Sequence, residues 1–474
     1  MRSKLRNRTH VSSLGLHCLL LVLLPATAVA ETTVYTVGVC GAYDDIQDAI
    51  DALVFGDTTE IKIQGDSTYE ENLLFSKFFD AGRVEMTGGW DCAFSTRDTD
   101  PSTTVIDGGA ENAVARIRIG GGELLLKGFS VTNGEAEKGA GLQILLAGGA
   151  HVELENLRVF GNKSVSSGSV HGGGVSADID GTEVLEIRDL VAQQNLVISR
   201  NQAVTYGAGL SIMASGEARF SVENSQFDGN SIDNSGGDDA LGGGVHLETG
   251  NFAQGRLADS RIFNNTATGD VRVVSGLSLH AAQSGDIVVE RTGILLNSAI
   301  GAARGSQLRA RAQDASSILV RDSGVVQGES DGVHASVVDS GDIHLTNLTV
   351  ADHTGIGLLL GIYELGGISL YNTLAFGNFE DLQAPTQLDH SANLIGIDPL
   401  FTDAGNLDYH LEPGSPAEDA GDNDPPGGLG SADYDGSPRI INGTVDIGMY
   451  EGISVIFGDG FESGDLRYWS AKFP

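Results

Sequence analysis

Hydrophobic and polar positions recur along the chain at intervals of 25 to 35 residues. Nine nine-residue segments align: LKGFSVTNG from Leu126, LENLRVFGN from Leu154, IRDLVAQQN from Ile187, VENSQFDGN from Val222, LADSRIFNN from Leu257, VERTGILLN from Val289, VRDSGVVQG from Val320, LTNLTVADH from Leu345 and LYNTLAFGN from Leu370. The first position is always apolar, and so is the sixth (Val131, Val159, Ala192, Phe227, Ile262, Ile294, Val325, Val350, Ala375). The third is mostly Asn or Asp: Asn156, Asp189, Asn224, Asp259, Asp322, Asn347 and Asn372. The pattern predicts strand, Asx bend, strand. Stacked from unit to unit, these third positions are expected to form a buried ladder that serves stability.

Between the segments lies a second element: Gly139-Ala140-Gly141-Leu142, Gly172-Gly173-Gly174-Val175, Gly207-Ala208-Gly209-Leu210 and Gly242-Gly243-Gly244-Val245, then Ser275-Gly276-Leu277 and Gly332-Val333. After the last glycine, apolar and polar residues alternate, the period of a half-buried strand. Glycine is expected there because the chain turns sharply, often at positive φ. Each unit is too small to bury its own core, so stacking is required. The predicted fold is all-β, a parallel β-helix whose coils hydrogen-bond to one another at ~4.8 Å. An open end exposes strand edges. Ile46, Ala49, Ile50 and Leu53, at helical spacing, predict a capping helix.

These features resemble the right-handed β-helix proteins of the pectin-lyase-like superfamily. The resemblance runs through Ile46-Gln47-Asp48-Ala49-Ile50, Gly56-Asp57, Tyr69-Glu70-Glu71-Asn72-Leu73, Gly88-Gly89-Trp90 with Cys92, and Thr104-Val105-Ile106-Asp107-Gly108. Further on, Asp398-Pro399-Leu400-Phe401, Tyr409-His410-Leu411, Pro413-Gly414-Ser415-Pro416-Ala417, Asp419-Ala420-Gly421, Asp435-Gly436-Ser437-Pro438-Arg439 and Asp446-Ile447-Gly448-Met449-Tyr450-Glu451 are similar to the closing module of secreted bacterial β-helix proteins called choice-of-anchor Q. This likeness implies a fold and an extracellular setting, and supplies no active site. The stretch 457–465, with Trp469, is similar to C-terminal tails of Gram-negative secreted proteins. The glycine triplets and Phe227-Asp228-Gly229-Asn230 also resemble outer-membrane adhesin repeats, without the alternating strands of a membrane barrel. The expected divisions are a signal peptide at 1–30, N-terminal cap and first coils at 31–125, repeats at 126–378, a closing module at 379–452 and a tail at 453–474.

Composition narrows the partners. The chain carries 64 acidic against 28 basic residues, a net charge of -36. A binder of nucleic acid or anionic lipid concentrates lysine and arginine instead. Arg2, Lys4, Arg6 and Arg8, an apolar run from Leu14 to Leu24, and Ala28-Val29-Ala30 before Glu31 read as a secretory signal. No later run of 18 apolar residues suits a membrane span. Cys18 leaves with the signal, so Cys40 and Cys92 remain as a pair in an oxidising compartment, where a disulfide is expected.

Two lines of side chains carry candidate chemistry. Lys138 and His171 each immediately precede a glycine element, with Tyr206 next, and should share one edge of the stack as acid-base and stacking groups. The polar residues just after the elements, Gln143, Ser176, Ser211, His246, Ser278 and His334, should face outward in one stripe suited to an extended glycan. Of the polygalacturonase-like motifs, Asp238-Asp239 alone is found. Asp422, Asp424, Asp433 and Asp435, in a Gly- and Pro-rich region, suggest a structural Ca2+, with Gly427-Gly428-Leu429-Gly430 one residue out of β-roll spacing before Asp433. No set forms a complete catalytic constellation. The sequence therefore favours a secreted or cell-surface protein that interacts with a polysaccharide or another cell-envelope component. A polysaccharide lyase or glycoside hydrolase acting on an acidic polysaccharide is the alternative.

Overall fold

The structure is a computed structural model that describes residues 32–452, except 55, 57, 77–81, 200, 202, 238 and 302–304. The expected signal and tail lie outside the described residues. Almost every strand pairs in parallel with the equivalent strand of the next coil. One coil shows the plan. Val184–Arg188 and Val191–Gln193 join a first sheet, separated by a bend at Asp189. Leu196–Ser199 joins a small six-stranded sheet, and Thr205–Tyr206 then leads through Gly207 to Leu210–Gly216 in a long second sheet.

The nine segments stack as aligned. Leu126, Leu154, Ile187, Val222, Leu257, Val289, Val320, Leu345 and Leu370 pair in one unbroken row. The sixth positions form another, from Val131 to Ala375. Both rows are buried in the main core, where each Val or Leu contributes about 1.5–3 kcal/mol. A smaller core of Val170, Val197, Ala208, Ile232, Ala240, Ala267 and Val273 fills a side lobe formed with the six-stranded sheet. A short helix spans Ile46–Asp51, with Ile46, Ala49 and Ile50 buried. Cys40 and Cys92 form a disulfide.

Every third position, including Gly128 and Arg291, has φ between 45° and 71°. The preference for Asn and Asp there reflects a left-handed bend, which these residues tolerate best after glycine. The expected ladder at the third position is buried over only part of its length. Asp189, Asn224 and Asp259 are exposed, because the bend turns their side chains out, whereas Asp322, Asn347 and Asn372 are buried, Asn347 Nδ2 donating to Asp322 Oδ1 at 2.9 Å and Asn372 holding the Asp422 backbone. A second ladder occupies the ninth position: Asn162, Asn195, Asn230, Asn265 and Asn297 are buried. Each side-chain oxygen from Asn195 onward accepts from both the backbone and side-chain nitrogens of the preceding asparagine. Gln307 closes the series by accepting from Asn297.

The glycine elements use glycine twice. Gly139, Gly172, Gly207 and Gly242 have positive φ, as expected. The third glycine instead sits against the next coil: a Cβ on Gly174 would lie 2.7 Å from the Gly209 carbonyl oxygen, and one on Gly209 2.7 Å from that of Gly244. The stretch from Phe401 packs along the outer side of the first sheet. Tyr409, Met449 and Tyr450 cover Leu295, Val326 and Ala351 there, and the Met449 amide donates to Thr349 Oγ1 at 3.0 Å. Arg439, 2% exposed, faces both Asp322 and Glu451.

Candidate binding groove

The polar residue after each glycine element does form one row on the outer side of the second sheet. Gln143, Ser176, Ser211, His246, Ser278, Arg309 and His334 pair in register on consecutive strands. His246 and His334 are therefore three strand spacings apart, about 14 Å. The expectation of an exposed stripe needs correcting, because Ser176, Ser211, His246 and Ser278 are at most 3% exposed. In their coils the chain reaches the glycine element through Val170–His171, Thr205–Tyr206 and Asp239–Leu241, which pair with one another beside the row. Gln143 and His334 stay half-exposed.

That neighbouring line brings the two sets of sequence candidates together. The His171 and Tyr206 rings stack at 4.6 Å between centroids, and Tyr206 lies 4.7 Å from the His246 ring. The Lys138 ammonium acts on both His171 and Asp178. Burial, reinforced by the Lys138 charge, pushes His171 down to about 3, so its imidazole is neutral at physiological pH. Burial likewise lowers His246 and raises the Tyr206 phenol. His171 Nδ1 and the Ser211 and Ser278 hydroxyls are buried without hydrogen-bond partners among the described residues. Half-satisfied polar groups of this kind are expensive in a structural core and expected where a ligand completes them.

Sequence reasoning missed the next outward row, two residues further on: Asp178, Met213, Glu248, His280 and Arg311. Glu248 Oε2 is 3.5 Å from His246 Nε2 and 3.6 Å from His280 Nδ1. Burial alone would raise its pKa, but these imidazoles hold the carboxyl well below its usual range. Asp239, one of the two carboxylates singled out above, is buried and ion-paired with Arg272. Asp238 lies outside the described residues. A cavity of about 460 Å3 runs past Asp178, Met213 and Glu248. A second, of about 260 Å3, is lined by Arg272, Val273, Ser306, Arg309 and His334. Register alone, read at every second residue, would have pointed to Glu248 and Arg311.

The C-terminal carboxylates do not converge. Asp433 is buried, and its oxygens accept from the backbone amides of Asp435, Ser437 and Glu451. Asp435 pairs with His410 Nε2 at 2.7 Å, and Asp422 accepts from the Asp424 amide. Among the described residues no group of three or more His, Cys, Asp or Glu is placed to hold a metal ion, so the expected Ca2+ has no gathered donor set here.

The sequence matches no protein-family model and no curated protein. Among solved structures it is similar to pectate lyase Pel9A, at 13% identity over 89% of this chain and 96% of that one, with a TM-score of 0.46. It is also similar to the periplasmic alginate epimerase AlgG, at 12% identity over 68% and 82% with a TM-score of 0.32, and to pectin methylesterase from Aspergillus niger, at 18% over 54% and 86% with a TM-score of 0.27. At such values no site residue carries over from them. The parallel pairing of successive coils is what establishes the architecture: the chain is a parallel β-helix.

Proposed function

We propose that this is a secreted or cell-surface protein that binds an extended glycan of the cell envelope or its surroundings along the outer face of the second sheet. The observation that carries this reading is the convergence of the polar row with the stacked His171, Tyr206 and His246 rings. A sugar offers an apolar face to an aromatic ring and hydroxyls to side-chain donors and acceptors; the half-buried Tyr206 ring supplies the first, and Asp178 and Glu248 along the cavity of about 460 Å3 supply the second. The secretory pattern of 1–30 and the Cys40–Cys92 disulfide support an extracytoplasmic setting. Among the described residues no helix is long and apolar enough to cross a membrane. Retention in affinity gels cast with a panel of neutral and acidic polysaccharides tests the reading. Tyr206→Ala should lose retention at unchanged circular dichroism. Equal retention of the variant on every gel would refute it.

A second reading, cleavage of the bound glycan by elimination, is favoured by one feature: His171 stacks on the Tyr206 ring and lies within the field of Lys138, which brings acid and base candidates together. Unsaturated ends released by the wild type, and lost in Lys138→Ala and His171→Ala, would establish a lyase. The hydrolase alternative needs Asp238 and Asp239 as an acid and base pair, and the Arg272 clamp on Asp239 weighs against it.

A further inference from the structure

Arg309 stands apart by its burial. Elsewhere Arg83, Arg188, Arg256, Arg272, Arg291, Arg321 and Arg439 all sit in ion pairs, in a chain with 64 acidic and 28 basic residues. Among the described residues none is paired with Arg309 or Arg311. They occupy adjacent outward positions on one strand, Gly305–Gln313, with Ala310 between them turned into the core. Arg309 is only 8% exposed, and the Nε of each guanidinium is buried without a hydrogen-bond partner among the described residues. The nearby carboxylates are already engaged, Asp239 by Arg272 and Glu248 by His246 and His280.

Burying a guanidinium without a counter-charge is strongly unfavourable, and an apolar residue would serve packing better. Arg309 lines a cavity of about 260 Å3, and the half-buried Arg311 stands two positions further along the same outward face, so that the pair offers a cationic site at the cavity's edge. The cavity is smaller than the roughly 300–1,000 Å3 of pockets that enclose a whole ligand. It suits one residue of a longer chain. Burial and the charges of Arg272 and Arg311 push Arg309 down to about 10, so it remains a cation at neutral pH.

We propose that Arg309 and Arg311 bind an oxyanion substituent, carboxylate or sulfate, on the glycan held in the groove, so that the protein selects anionic over neutral chains. This rests on the groove reading above and gives it a charge requirement. Planar guanidinium donors match the two-oxygen geometry of such groups. Because the rest of the surface is acidic, the selection would be local and not a general attraction.

The test uses the full mature chain against polygalacturonate, its carboxyl-reduced neutral galactan and a sulfated galactan, each by titration calorimetry. Binding to the first or third but not the second is expected, and which of the two binds distinguishes carboxylate from sulfate. Arg309→Gln with Arg311→Gln should weaken that binding about tenfold or more, at a thermal midpoint no lower than that of the wild type, and the double lysine variant should restore part of the binding. If the neutral galactan binds equally well and the double glutamine variant matches the wild type, the anion site is wrong while the groove survives. If none of the three binds and Tyr206→Ala changes nothing on the wider panel, the groove reading itself falls.

Discussion

Replacing Asn230 by alanine removes the middle rung of the buried ladder. Its Oδ1 accepts from the Asn195 amide at 3.1 Å and from Asn195 Nδ2 at 3.0 Å, while its Nδ2 donates to Asn265 Oδ1 at 3.0 Å and the Ala192 carbonyl at 2.9 Å. Alanine strands two donor hydrogens of Asn195 in a region without solvent. At about 1–3 kcal/mol for each buried group left unpaired, the loss is roughly 2–6 kcal/mol. Asn224 offers the control, being exposed and at φ 51°. Alanine there costs the left-handed strain of an ordinary residue, about 1–2 kcal/mol at most. Calorimetric unfolding of both variants at matched pH measures the contrast. A clearly larger fall in the midpoint for Asn230→Ala is expected. Equal falls, or a larger one for Asn224→Ala, would show that the ninth position is not where coil-to-coil stability resides.

Arg439→Met leaves Asp322 with Arg321 alone, at 3.9 Å, and Glu451 buried without its cation, a loss of up to about 3–5 kcal/mol. It should expose 398–452 to limited proteolysis while the coils stay protected; simultaneous digestion of both would contradict the lateral packing. His353 occupies the ninth position of its coil, its Nε2 3.0 Å from the Val325 carbonyl oxygen, and burial pushes it down to about 4. The native state thus holds fewer protons than the unfolded chain, and stability should be complete above about pH 6.5 and decline towards pH 4, by about 3 kcal/mol from this group. Asparagine at 353 preserves the donor used by Asn265 and Asn297 in their own coils, so His353→Asn should flatten part of the decline. An unchanged pH profile would refute the assignment.

The repeat was legible because its inward residues are apolar at fixed positions, and one residue of slip would expose a whole row. The ladder was harder to read. Asparagine recurs at two positions for two reasons, a left-handed bend at Asn224 and a buried amide at Asn230, and local sequence does not separate them. The polar row was legible for the same reason as the core, as its other face. Its burial was not, since Tyr206 and His171 reach it through a side lobe whose length varies from coil to coil. Arg309 was passed over because Ser306 and Gln307 stand where a glycine element would be, Gln307 having taken the ladder's last place. The lateral packing of Met449 on Thr349 joins residues a hundred positions apart, and no short-range pattern encodes it.

The groove itself is tested most directly by amide hydrogen exchange with and without a saturating glycan that the affinity screen selects. Protection should concentrate on Thr205–Tyr206, Leu210–Gly216, Val245–Thr249 and Gly305–Gln313, the segments that bear Tyr206, Ser211, His246, Glu248, Arg309 and Arg311. Protection confined to the first sheet or to 398–452, with these four segments unchanged, would contradict the account.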